Sequence, residues 1–234
     1  MGYLRLRQIC LVASDLAKVE KQIADVLGLE ICFRDPGVGK YGLHNALFAM
    51  GGTFLEVVSP TKPGTAAGRY IERRKGDGGY MYIIDCDNLE ARREHFKAEG
   101  VRLVEDLKST EWGLTGEALH LHPRDTGGCL LSVDRHSPGE EMSGSYKWAG
   151  PEWQKHDRSK TVAQIVGAAI QSADPADLAT RWSHLLQRPL RKGDSGMDIH
   201  LDQGFVHFGP LRDDRGEGLR GVYLKVKDKA AITA

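Results

Sequence analysis

The chain has no excess of either charge: lysine plus arginine equals aspartate plus glutamate at 32 each. No basic field is available to draw a nucleic acid or an anionic membrane surface, and neither is expected as a partner. Cysteine is scarce, with four residues. Cys10, Cys32, Cys86 and Cys129 show no Cys-x-x-Cys spacing, which argues against a zinc site or a disulfide frame and fits reduced thiols in the cytoplasm. No apolar run approaches the ~20 residues of a membrane span. The opening Met1-Gly2-Tyr3-Leu4-Arg5-Leu6-Arg7 lacks the apolar centre of a secretory signal. Against these absences stands a hydrophobic content of 41% in 234 residues, enough to bury one large core or two small ones.

The informative stretch is Gly51-Gly52-Thr53-Phe54-Leu55-Glu56-Val57-Val58-Ser59-Pro60. It reads as a tight Gly-Gly turn feeding a strand that ends at proline. On a strand Leu55 and Val57 share one face, fit to pack under a helix, while Phe54, Glu56 and Val58 share the other. A carboxylate between two hydrophobes needs a partner or water, so that second face is expected to line a cavity. With a two-residue turn, Asn45 and Leu47 fall on the face of Glu56 and His44 turns toward the helices.

A repeat organises the rest. Residues 6–13 read as a strand, Ser14-Asp15 caps a helix over 16–27 closed by Gly28, residues 29–34 return as a strand, and a hairpin spans 45–58. The same β-α-β-β-β order recurs: a strand at 80–85, a helix from Asn88 to Glu99, a strand at 101–104, and a hairpin of 118–121 and 129–133 around His122 to Gly128. After a polar stretch it recurs again, with a strand at 165–172, a helix at 175–186 and a hairpin near 199–208. Asp174 stands where Asp15 stood and Trp182 where Ile23 stood. Residues 221–226 resemble 80–85, as if a fourth unit began.

These pieces, namely Gln8 to Leu16, His44-Asn45-Ala46-Leu47 followed by Phe54-Leu55-Glu56, and the turn His122 to Gly128, resemble βαβββ modules of the vicinal oxygen chelate superfamily, which holds glyoxalases, bleomycin-resistance proteins and extradiol dioxygenases. The turn is similar to the corresponding one in methylmalonyl-CoA epimerases. The resemblance implies an α+β fold in which paired modules form a curled mixed β-sheet around a pocket, helices outside. It divides the chain into residues 1–136 as a two-module glyoxalase-like domain, 137–160 as a linker, and 161–234 as a partial second domain of one module plus the first strand of another. Trp148 and Trp153 in the charged linker are expected to pin it to the domain surface, with a lid over the pocket as the alternative. A homodimer is expected to complete that half-made unit; packing of the third module back on the first two is the alternative.

In metal-using members four ligands converge from the first and last strands of two modules. Carried over, those positions are Gln8, Glu56, Met81 and Ser132, an incomplete set for a hard cation or for catalytic zinc or iron. The third module offers Gly167 at the Gln8 position, His207 near the Glu56 position if one residue is gapped, and Val222 in the fourth. No cofactor is therefore expected; a divalent cation, if held at all, falls to Gln8 and Glu56. The catalytic candidates are Glu56, as a buried general base, and His120, which shares a strand face with His122 and lies across a hairpin from Ser132. Gln8, Asn45, Leu47, Met81 and Ser132 are the substrate-binding candidates. His122, Arg124 and Asp125 read as parts of a turn.

The function so implied is proton transfer next to the carbonyl of a small metabolite, of isomerase or lyase type. The alternatives are a module that sequesters a small molecule, which Met81 favours, and a divalent-metal-dependent lyase or dioxygenase.

Overall fold

A computed structural model describes residues 2–158 and 160–229. The last residues of the expected second domain, 230–234, lie outside the described residues.

Two sheets account for the strands. The first holds eight, β1 (Leu4–Val12), β2 (Ile31–Phe33), β3 (Leu43–Met50), β4 (Thr53–Pro60), β5 (Gly78–Cys86), β6 (Leu103–Glu111), β7 (Leu114–Leu121) and β8 (Leu130–Ser137). Their order is β2-β3-β4-β1-β5-β8-β7-β6, so two like halves join where β1 runs antiparallel to β5. Each half contains a parallel pair, β1 with β4 and β5 with β8. The second sheet holds β9 (Val162–Ser172), β10 (Leu190–Gly193), β11 (Gly196–His200), β12 (Phe205–Pro210) and β13 (Gly218–Val226), in the order β10-β11-β12-β9-β13. It is the same unit built once, with one strand of the next.

Helices α1 (Leu16–Leu27), α3 (Leu89–Ala98) and α5 (Pro175–Leu186) are the three that the repeat predicts. Each begins at a side-chain cap: Asp15 accepts from Lys18 N, Asn88 from Ala91 N and Asp174 from Asp177 N. A cap of this kind is worth about 1 kcal/mol. Gly28, at φ 63°, closes α1 in the left-handed conformation that glycine adopts without strain. A short α4 (Pro123–Thr126) is capped by His122, whose Nδ1 accepts from Arg124 N, and Asp125 is held by Arg102. His122, Arg124 and Asp125 do belong to a turn.

Two stretches differ from the sequence reading. Strand β6 runs on to Glu111, well beyond residue 104; its inner face, Glu105, Leu107 and Ser109, is only half-buried, so the apolar period is faint. Helix α2 (Ala66–Arg74) was not expected, because Gly68 and four charged side chains leave Ala67 as its one fully apolar buried residue.

The outer face of the eight-stranded sheet carries Ile9, Phe48, Leu55, Val57, Tyr82, Ile84, Leu119, Leu131 and Val133 into one core with α1, α3 and the second sheet. Trp182 of α5 is fully buried between Tyr82 of the first sheet and Phe208 of the second, at ring distances of 5.9 and 5.5 Å. Its Nε1 donates to Thr126 O, and the Tyr82 hydroxyl donates to Phe205 O. The third module thus packs back on the first two within the chain. This leaves the inner, concave face of the large sheet to be filled from elsewhere.

Candidate functional site

Strand alternation sends Gln8, Cys10, Asn45, Leu47, Glu56, Met81, Ser132 and His120 to the concave face. A bulge between Leu6 and Gln8 sets that register, since it turns Arg7 and Gln8 both away from the outer core. Gly51 and Gly52, at φ 58° and 78°, make the two-residue turn that places Leu47 opposite Glu56 and Asn45 opposite Val58. The parallel pairing of β1 with β4 then sets Cys10 beside Glu56.

Glu56 is 7% exposed, and both its oxygens accept hydrogen bonds. Asn45 Nδ2 donates to Oε1 at 2.6 Å and Gln8 Nε2 donates to Oε2 at 2.8 Å, while the neighbouring Cys10 thiol donates to Leu11 O at 3.4 Å. Asn45 is oriented in turn by accepting from Asp35 N at 2.8 Å. Burial pushes the Glu56 carboxyl above the usual carboxylate range; the hydrogen bonds from Asn45 and Gln8 pull it down and the charge of Asp35 adds to the rise. The Cys10 thiol is pushed far up, first by burial and then by Glu56, so it stays protonated.

Gln8 is held by a residue the sequence reading passed over. The Tyr146 hydroxyl donates to Gln8 Oε1 at 2.9 Å. Tyr146 is fully buried, its ring stacked on Phe54 at 4.4 Å, and burial keeps its hydroxyl protonated. It belongs to the connecting segment, which covers the concave face, the alternative reading, and does not lie on the outer surface. Tyr146, Ala149 and Trp153 pack into the concave face against Leu47, Ala49 and Phe54. Arg5 donates to Gly139 O and Glu140 O, Arg7 donates to Met142 O, and Trp148 Nε1 donates to Asp134 Oδ2 at 2.8 Å. At the other end α2 lays Ala67, Tyr70 and Ile71 over Cys10, Val12, Val58 and Met81.

The other arm of the curl holds the remaining candidates. Met81 pairs in register with Cys10 and is 9% exposed. Ser132 is fully buried and donates to Asp134, whose carboxyl burial pushes up to about 7. His120 sits opposite Ser132 and half-buried; burial pushes its imidazole down to about 4, against the opposing pull of Glu105. Glu56 and His120 are four strand spacings apart, about 19 Å along the sheet, so they face one another only across the curl. Lys40 to Glu105 at 2.8 Å and Phe33 against Trp112 at 5.8 Å tie the two rims together. His44, expected against the helices, is exposed at the start of β3.

The four positions that carry ligands in metal-using relatives therefore present one carboxylate, one amide oxygen already engaged by Tyr146, a hydroxyl spent on Asp134, and a thioether. Among the described residues no three His, Cys, Asp or Glu side chains group as cation ligands. This donor set does not fit a tightly bound divalent cation, which takes several free oxygens or imidazoles.

Paired βαβββ units curled about a polar-floored cup define a protein of the vicinal oxygen chelate superfamily. Within it the chain belongs to the glyoxalase-like domain family, whose model matches residues 9–186. An ethylmalonyl-CoA/methylmalonyl-CoA epimerase of Cereibacter sphaeroides is 21% identical over 131 residues, which is 56% of this chain and 97% of that one. A Streptomyces coelicolor methylmalonyl-CoA epimerase variant, solved with 2-nitronate-propionyl-CoA, superposes with a TM-score of 0.50 at 19% identity over 57% of this chain and 97% of its own. A hypothetical protein from Staphylococcus aureus matches the whole arrangement, third module included: TM-score 0.70, 15% identity, 97% of this chain and 93% of that one. No helix among the described residues is long and apolar enough to cross a membrane.

Proposed function

We propose that this protein catalyses proton transfer at a carbon next to the carbonyl of a small metabolite, with Glu56 as the base. The observation that carries the reading is the environment of Glu56. A carboxylate sits nearly dry on the concave face, its pKa raised by burial, with amide donors from two strands fixing its oxygens. Such a group binds a proton more strongly than a solvated carboxylate does, and its rotamer is set before substrate arrives. The reaction balances without a co-reactant. Glu56 takes the α-proton, the C–H pair moves into an enolate, and a proton returns to the same carbon or its neighbour. His120, neutral near pH 7, keeps an N–H to offer the enolate oxygen from the facing arm.

The names of the relatives make 2-substituted malonyl thioesters the first substrates to try, because their α-hydrogen lies between two carbonyls. No divalent cation is required in this reading. A homodimer is proposed as well, and light scattering at micromolar concentration returning a monomer mass would remove that part alone.

A second reading has its own support. Cys10, Val58, Met81 and Ile83 pack beneath Ala67, Tyr70 and Ile71 of α2, and a ligand that displaced this helix would meet an apolar face suited to capture. Glu56→Gln separates the two: the enzyme reading expects ligand affinity to survive while turnover falls by ~100-fold or more. A parent protein that binds ligand but turns over no carbonyl compound would favour the binder.

A further inference from the structure

The third module carries a side-chain chain unrelated to the concave site of the large sheet. In β12, Val206 and Phe208 enter the core, so His207 between them turns to the opposite face. There the pairing of β12 with β9 sets Gly167 opposite Phe205 and Ala169 opposite His207. That repeats Gln8 opposite Phe54 and Cys10 opposite Glu56, so His207 takes the place of Glu56 with no gap. Val222, by contrast, turns to the core, and Gly221 takes the place of Met81.

Asp198 lies opposite His207 across β11 and β12, and the His207 Nδ1–Asp198 Oδ1 distance is 2.7 Å. An ionised carboxylate only accepts, so Nδ1 carries the proton, and in the neutral ring Nε2 then presents its lone pair. Nε2 points to Ser195 Oγ at 3.4 Å. Ser195 is exposed in the two-residue turn between Gly193 and Gly196, whereas the His207 side chain is 7% exposed. Glycines make room for the arrangement. A Cβ on Gly193 would stand 2.7 Å from Asp198 Oδ2, and one on Gly209 3.1 Å from His207 Nε2.

We propose that Ser195 is an activated nucleophile that accepts an acyl group from small activated esters, with His207 as its base and Asp198 as the residue that positions the imidazole. Nucleophile, base and orienting acid stand in the order this chemistry uses, with the nucleophile open to solvent and the base behind it. As the Ser195 Oγ–C bond forms, the hydroxyl proton passes to His207 Nε2. The ester C–O bond then breaks and the phenolate departs with the bonding electron pair. The imidazolium returns its proton to water.

The test uses the full chain with p-nitrophenyl acetate, followed by nitrophenolate release and by peptide mass after acid quenching. The expected result is acetyl on Ser195, absent from Ser195→Ala and slowed by ~100-fold or more in His207→Ala. Millimolar imidazole should restore labelling to His207→Ala, because the truncation opens a space behind Ser195 that a free base can fill; a merely structural role for His207 would not give this rescue. Asp198→Asn should slow labelling of the parent but change nothing in His207→Ala, since it acts through the imidazole. No acetyl on Ser195 in folded protein, or labelling indifferent to His207→Ala, would overturn the proposal. No ligand of the large sheet enters the assay, so its failure leaves the role of Glu56 untouched.

Discussion

Tyr146 and Gln8 are 138 residues apart, and the phenolic hydroxyl of the first donates to Oε1 of the second across 2.9 Å. The ionised Glu56 carboxylate can only accept, so it takes Gln8 Nε2 and leaves Oε1 of the same amide to Tyr146. A flipped amide would set oxygen against oxygen. The connecting segment is thereby part of the site it covers.

Tyr146→Phe keeps the ring on Phe54 and removes only the hydroxyl. It leaves a buried amide oxygen unsatisfied, which costs about 1–3 kcal/mol. In a chain of this size each kcal/mol corresponds to a fall of about 2–4 °C in Tm. Thermal unfolding should show that fall, and turnover should drop by more than ligand affinity does, because the base loses its fixed partner.

The pH profile of turnover should carry the mark of a raised carboxyl. Activity rises as Glu56 loses its proton, so the acid limb is expected above the ordinary carboxylate value of 4.5. Asn45→Ala or Gln8→Ala removes a donor that favours the charged form, and the limb should move further to alkaline pH. A limb that stayed in place in both variants would mean that another group sets it.

Much of this arrangement is legible in the order of residues. The Gly51-Gly52 turn fixes Leu47 opposite Glu56, and the alternation of β4 sends Glu56 away from the helices. Gln8 follows from the family resemblance, as the first-strand ligand position carried over. Cys10 was within reach of the same argument, two residues along the same strand face. Tyr146 was not, since no periodicity or local spacing connects a residue in an irregular segment to a strand so far back in the chain. Helix α2 escaped for a different reason: its cover of the concave face rests on Ala67, Tyr70 and Ile71 within a charged stretch. The place of His207 is legible only in strand pairing, because the unequal loops of the modules hide a common register.

Asp134 provides a stability test that is independent of activity. Its folded pKa is about 7 against an ordinary 3.8, chiefly because of burial. The folded state thus holds the proton over a range where the unfolded chain has lost it. Stability from this group is fully present below about 4 and is lost as pH rises to about 7. At about 1.4 kcal/mol per pH unit the change amounts to a few kcal/mol. Asp134→Asn has no such titration, so denaturant unfolding should show the variant gaining on the parent as pH rises, with a plateau above about 7. A gap that is constant with pH would contradict the assignment.

The most direct measurement is hydrogen exchange at the α-carbon of a 2-substituted malonyl thioester in deuterated water, followed by NMR for the parent and for Glu56→Gln. The parent should wash solvent deuterium into that position, and the variant should lose this by ~100-fold or more while still binding the thioester. Exchange proceeding equally fast in the two proteins would show that Glu56 is not the base.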